Sequence, residues 1–208
     1  LHYRWRYRAQ QEHFLQAEFG RAAHHGPDRA ERLAAGAGLM DYFNGFLPNL
    51  GVSPQTTAAF EASFEELLDV LDIHFQHYPY LLGGLPSIAD FGFMAPLFAH
   101  LARDPVPSSL MKNRAPNVYR WTERMNLPAI ADGEFPEQAL EWFPDDAIPA
   151  TLEPVIRLMF LDWGTQLLAD AAFVNAWIQA HPDVRKGQLA SADGERRVHP
   201  ALGEINYS

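Results

Sequence analysis

An all-α bundle of five to six helices, with an extended C-terminal helix and tail, is the fold class these 208 residues predict. Apolar side chains recur at steps of three and four along most of the chain, the period of one helix face. No series of alternating strands accompanies them, and the connections are short to medium in length. The clearest helix start is Ser87-Ile88-Ala89-Asp90, a capping box in which Ser87 and Asp90 can each satisfy an orphan backbone donor of the other. Asp90 also places a negative charge in the first turn, where the helix dipole favours it.

Residues 1 to 8 alternate aromatic and basic side chains, Tyr3-Arg4-Trp5-Arg6-Tyr7-Arg8, and read as a connecting segment whose rings pack against an adjacent domain. The first helix runs from Gln10 to Ala23, with Phe14, Leu15, Phe19 and Ala22 at helical spacing, and Gly26-Pro27 stops it. The second spans about Asp28 to Phe46, where Gly36 and Ala37 allow another helix to approach closely. Ser53 is expected to cap the third, with Pro54 at its first position and a stripe of Phe60, Phe64, Leu67, Leu68, Leu71 and Phe75. The fourth starts at Ser87, with Ile88, Phe91, Ala95, Phe98 and Leu101 as its apolar face and a kink expected at Pro96. Asp104-Pro105-Val106-Pro107 ends it, and Pro116 begins the fifth, where Val118, Trp121 and Met125 share a face. Residues 1–125 thus form a helical core.

Residues 126–208 read as an extension. Prolines and acids dominate the stretch to residue 150, a long irregular connection. Ile156, Phe160, Trp163, Leu167, Ala171, Val174 and Ile178 then define the longest amphipathic run, about 35 Å of helix at 1.5 Å per residue, expected to pack on the same core. After a polar tail, Val198 to Tyr207 reads as short strand or irregular chain.

Composition narrows the function classes. Lys plus Arg is 16 against 26 for Asp plus Glu, a net charge of −10, so nucleic acid and anionic bilayers are disfavoured as partners. There is no cysteine, which excludes a disulfide framework and a cysteine nucleophile within these residues and fits a reducing compartment; cytoplasm is the expected location. No apolar stretch is long enough to cross a membrane, and Arg157, Asp162 and Asp170 interrupt the longest helical run. Beginning at Leu1 rather than Met, the sequence reads as a piece of something longer. Gly36-Ala37-Gly38 lacks the strand and spacing of a phosphate loop, and His74 with His77 lacks the further ligands of a metal site. Asp145-Asp146 has no partner motif that would make it a catalytic carboxylate pair.

Three segments, taken in order, carry a resemblance: Pro79-Tyr80-Leu81-Leu82-Gly83-Gly84-Leu85-Pro86-Ser87-Ile88-Ala89-Asp90-Phe91, Pro96-Leu97-Phe98-Ala99-His100-Leu101, and Ala115-Pro116-Asn117-Val118-Tyr119-Arg120-Trp121. From about residue 54 to 125 the chain resembles the C-terminal helical domain of cytosolic glutathione S-transferases. The resemblance implies a protein whose thioredoxin-like N-terminal domain, absent from these residues, binds glutathione as co-substrate and supplies the Tyr, Ser or Cys that activates its thiol. No catalytic residue is therefore assigned here. It further implies that this domain forms one wall of the site for a small hydrophobic electrophile, and part of a homodimer interface. Tyr7, Phe14 and Trp121 are the candidate substrate-binding residues, with Ser87 and Asp90 as the structural capping pair. The long segment after Met125 departs from the commonest family pattern. A non-catalytic binding or oligomerisation module is the alternative, since the same fold serves as a scaffold.

Overall fold

The computed structural model describes residues 2–47, 50–127 and 133–183, and the backbone of 196–199 and 203–206. Its described residues form eight α-helices: α1 (His2–Arg6), α2 (Arg8–Ala23), α3 (Arg29–Asn44), α4 (Thr57–His77), α5 (Ile88–Met94), α6 (Pro105–Arg114), α7 (Pro116–Arg124) and α8 (Glu153–Ala180). The all-α class holds. The strand-like end is a small antiparallel hairpin, β1 (Arg196–His199) with β2 (Gly203–Asn206). Parts of the predicted turn at Pro48 and of the polar tail after Asp183 lie outside the described residues.

The helix count exceeds the sequence expectation because two short helices hide in proline-rich or charged stretches. Residues 2 to 6 pack their rings inside this bundle rather than against an adjacent domain: they form α1, which buries Tyr3 and Trp5. α6 begins where Asp104-Pro105-Val106-Pro107 suggested only a stop. Pro105 sits in its first turn, where a missing N–H costs nothing, and Asp104 is the N-cap. α4 begins at Thr57 rather than Pro54, because Ser53 to Thr56 close a turn first: the Thr56 hydroxyl donates to the Gly51 carbonyl at 2.6 Å.

α2 and α3 form an antiparallel pair at very close range. A Cβ added to Gly36 would lie 2.1 Å from the Gln16 carbonyl oxygen, and one added to Gly20 would lie 2.3 Å from that of Arg32. The close approach expected at Gly36 is therefore real, and it is reciprocal. Trp5, Leu15 and Met40 are buried between these helices and α1, with Phe19 stacked on both Trp5 and Phe43.

The larger core gathers Leu68, Leu71 and Phe75 of α4 with Met111 of α6 and Val118 and Trp121 of α7. Leu152 and Val155 join it, so the start of α8 packs on this core. α8 then runs back along α4: Thr151 meets His74 near one end, and Asp162 accepts from the Ser63 hydroxyl nearer the other.

α5 passes at Ala95 into a π-helix, Ala95–Ala102, in which the Arg103 N–H reaches the Phe98 carbonyl five residues back. Pro96 lacks an N–H and its ring crowds the carbonyl four back, so widening the turn is the response where a kink was expected. The buried face also differs from expectation. Ile88 is 90% and Phe91 62% exposed, whereas Asp90, Leu97 and Leu101 face inward. Once a carboxylate occupies the inner face, the helix is turned by roughly a quarter from the purely apolar reading.

The proline-rich connection is irregular, as expected, but anchored. Gly84 N–H donates to the Glu141 carbonyl at 2.8 Å, and Phe143 N–H to that of Leu82 at 3.0 Å. Gly83 has φ +117°, and a Cβ on Gly84 would sit 1.8 Å from the Ala139 carbonyl oxygen, so both positions require glycine.

Candidate functional site

Asp90 has no exposed surface, yet all its acceptor capacity is used. Oδ2 accepts from the Ser87 N–H at 2.8 Å and the Ser87 hydroxyl at 2.7 Å; Oδ1 accepts from the Leu81 N–H at 3.0 Å and Trp121 Nε1 at 3.1 Å. The helix start, the segment before it and α7, 31 positions on, therefore converge on one carboxylate. Such a network is costly to disturb, because each donor would be left unpaired in a dry interior. Its chemistry is structural: both oxygens are already occupied by donors.

Trp121 belongs to this network and is fully buried, its ring stacked on Phe75 at 5.0 Å between centroids. In this position it presents no surface to a ligand. Tyr7 is half-buried against the larger core, stacked on Tyr3 at 6.0 Å with the Arg6 guanidinium over its ring. Phe14, also half-buried, packs instead against the smaller core of Trp5, Leu15 and Met40. The three candidates are thus not brought into one place.

Phe14 does line a cavity of about 220 Å³ between α2 and the π-helix, with Leu15, Phe19 and Ala22 on one side and Ala99 and Arg103 on the other. Its floor holds a buried ion pair. Arg4 donates through Nε to Asp104 Oδ2 at 2.7 Å and through a terminal nitrogen to Oδ1 at 2.8 Å, with its guanidinium over the Phe19 ring. Arg103 pairs with Glu18 at the rim. The Nδ1 atom of nearby His100 is buried without a partner, and burial followed by the Arg4 charge pushes that imidazole below its ordinary range. An apolar wall with paired charges suits a ligand that is mostly hydrophobic and has one polar end. None of Arg4, Glu18, Arg103 and Asp104 was singled out from the sequence. Arg4 and Asp104 lie 100 positions apart, and no local pattern couples them.

Further clefts lie elsewhere on the described residues. One of about 520 Å³ is lined by His2, Trp5, Arg6, Asn44 and Leu47, and another of about 280 Å³ by Asn117, Arg120, Arg124 and Glu134. In the second, Glu134 bridges Arg120 and Arg124, and Arg124 also donates to the Pro79 carbonyl at 3.0 Å. His74 is fully buried between Thr151 and the Tyr80 carbonyl, and burial lowers its basicity. Among the described residues no group of three or more His, Cys, Asp or Glu could hold a metal ion, and no helix is long and apolar enough to cross a membrane.

The segment from the end of α3 through α7, with its buried Asp90 and the helix it starts, falls within a match to the family described as "Glutathione S-transferase, C-terminal domain", over residues 39–127. Residues 39–127 are thus similar to the C-terminal helical domain of glutathione S-transferases. No curated protein and no solved structure matches the chain significantly. The matched span runs from the end of α3 to just past α7 and holds most of the larger core, whereas α1, α2 and α8, with Tyr3 and Val155 of that core, lie outside it.

Proposed function

We propose that this chain is the helical part of a glutathione-using transferase, in which residues 1–125 form one wall of the hydrophobic co-substrate site and residues 126–208 extend it. The observation that carries the reading is the family match over residues 39–127. Glutathione is the thiol donor, held and activated mainly by a thioredoxin-like domain; the acceptor is a small apolar electrophile. No residue of this chain activates the thiol. Phe14 is the best of the three acceptor-site candidates, because it alone lines a described cavity with an apolar wall. Tyr7 is retained at the margin of the larger core, and Trp121 is reassigned to folding on account of its complete burial. The protein acts as a homodimer in the cytoplasm, with part of the subunit contact made by this domain.

The experiment is retention of the protein on immobilised glutathione, together with turnover of a halogenated aromatic acceptor by the polypeptide that includes the thioredoxin-like domain. Binding and turnover, with the acceptor KM raised by Phe14→Ala, support the reading. Failure of both moves the conclusion to the second reading, a non-catalytic module of the same fold. One observation favours that alternative: Asp90, whose two carboxylate oxygens accept four hydrogen bonds, serves the fold.

A further inference from the structure

The two arginines that line the cavity beside Phe14 are held very differently. Arg4 spends Nε and a terminal nitrogen on Asp104 and also donates to the Ala99 carbonyl, so its guanidinium is committed to the fold. Arg103 is held more lightly. It meets Glu18 through one terminal nitrogen, and among the described residues its Nε and its other terminal nitrogen have no partner. Glu18 has a second cation besides, Arg21 at 3.3 Å. The guanidinium groups of Arg4, Arg21 and Arg103 thus stand against only the carboxylates of Glu18 and Asp104, a local excess of positive charge in a chain of net charge −10.

We infer that this cavity takes acceptors that carry a carboxylate, held by Arg103 at the rim with the apolar body lying against Phe14, Phe19 and Ala99. Size limits that body. An apolar cavity of about 150 Å³ takes benzene, so one of about 220 Å³ takes a single ring with a short substituent. Charge and shape select the polar end: the local excess attracts an anion, and the planar fork of a guanidinium matches a flat carboxylate. Glu18 stays in place, because the donors offered to the ligand are the ones it does not use. This deepens the proposed function in one respect, the class of acceptor, and rests on it only for the claim that the bound acid is an acceptor; the binding itself needs no glutathione.

Titration of the full chain with para-chlorobenzoate and with its neutral counterpart para-chlorobenzamide, followed by ligand NMR at neutral pH without glutathione, tests the inference. For a ligand of about ten heavy atoms the acid is expected to bind with a Kd on the order of 0.1 to 1 mM. The amide should bind about five- to tenfold more weakly, since it lacks the charge-assisted contact at a half-exposed rim. Arg103→Gln should bring the acid down to the level of the amide, whereas Glu18→Gln should tighten the acid several-fold by removing a neighbouring negative charge. Phe14→Ala should weaken both ligands. Arg103 and Glu18 lie at the rim, so the circular dichroism of their variants should match that of the parent. Arg120→Gln, in the separate cleft beside Glu134, should change nothing. A parent chain that binds the acid no better than the amide overturns the inference, as does an acid preference that survives Arg103→Gln or disappears in Arg120→Gln. Those outcomes leave retention on immobilised glutathione unaffected, whereas a protein that ignores glutathione yet binds the acid through Arg103 keeps the site and loses the transferase reading.

Discussion

Trp121 Nε1 donates to Asp90 Oδ1 across 3.1 Å, joining α7 to the first turn of α5 where neither residue touches water. The same carboxylate holds Ser87 and Leu81, so Asp90→Ala strands several buried donors at once. The expected loss is roughly 3 to 5 kcal/mol by urea unfolding, and Trp121→Phe, which keeps the stack on Phe75 but loses one donor, should cost about 1 to 2 kcal/mol. Equal effects of the two variants would mean that the network does not act as described.

Gly36 and Gly38 are two residues apart on α3 and should respond oppositely to a methyl group. Gly36→Ala drives a Cβ into the α2 backbone and is expected to destabilise by about 1 to 3 kcal/mol. Gly38 has nothing within 4 Å of an added Cβ, so Gly38→Ala should stabilise by about 0.5 to 1 kcal/mol through helix propensity alone. Paired thermal melts decide the matter.

The Arg4 and Asp104 pair is bidentate and nearly sealed from solvent. Asp104→Ala leaves a buried guanidinium without its counter-charge and should cost roughly 3 to 5 kcal/mol, whereas replacing both partners together with apolar residues should cost less than the two single changes added. A double-mutant cycle in urea provides the comparison.

Stability should fall on mild acidification. A carbonyl only accepts, so His74 Nε2 donates to Tyr80 and Nδ1 is left to accept from the Thr151 hydroxyl, the arrangement of a neutral ring. Burial lowers its pKa from 6.5 in the folded chain. Between the lowered value and 6.5 the unfolded chain binds more protons, so this contribution is complete above 6.5 and is lost as pH falls below it. His100 acts in the same direction. The melting temperature should be lower at about pH 5.5 than at about pH 7.5, and His74→Gln should flatten the difference.

Much of the architecture could be read from local pattern. Gly36 announced the close helix pair, Asp28 the start of α3, and the three-and-four spacing after Ile156 announced α8. The orientation of α5 could not, because a charged side chain reads as outward until its partners are known, and two of those, Leu81 and Trp121, are 9 and 31 positions away. The cavity beside Phe14 was half legible: its apolar wall follows helical spacing, but Arg4 and Asp104 meet only through the tertiary fold.

The anchoring of the proline-rich connection bears on how a protease would meet this chain. In sequence, Ala139 to Phe143 looks like an exposed loop ready for nicking. In the fold, its backbone is hydrogen-bonded to Leu82 and Gly84 and passes so close to Gly84 that no side chain fits between them. An extended cleavage site cannot enter an enzyme cleft while those bonds hold, so cutting within this stretch reports how often the two strands part.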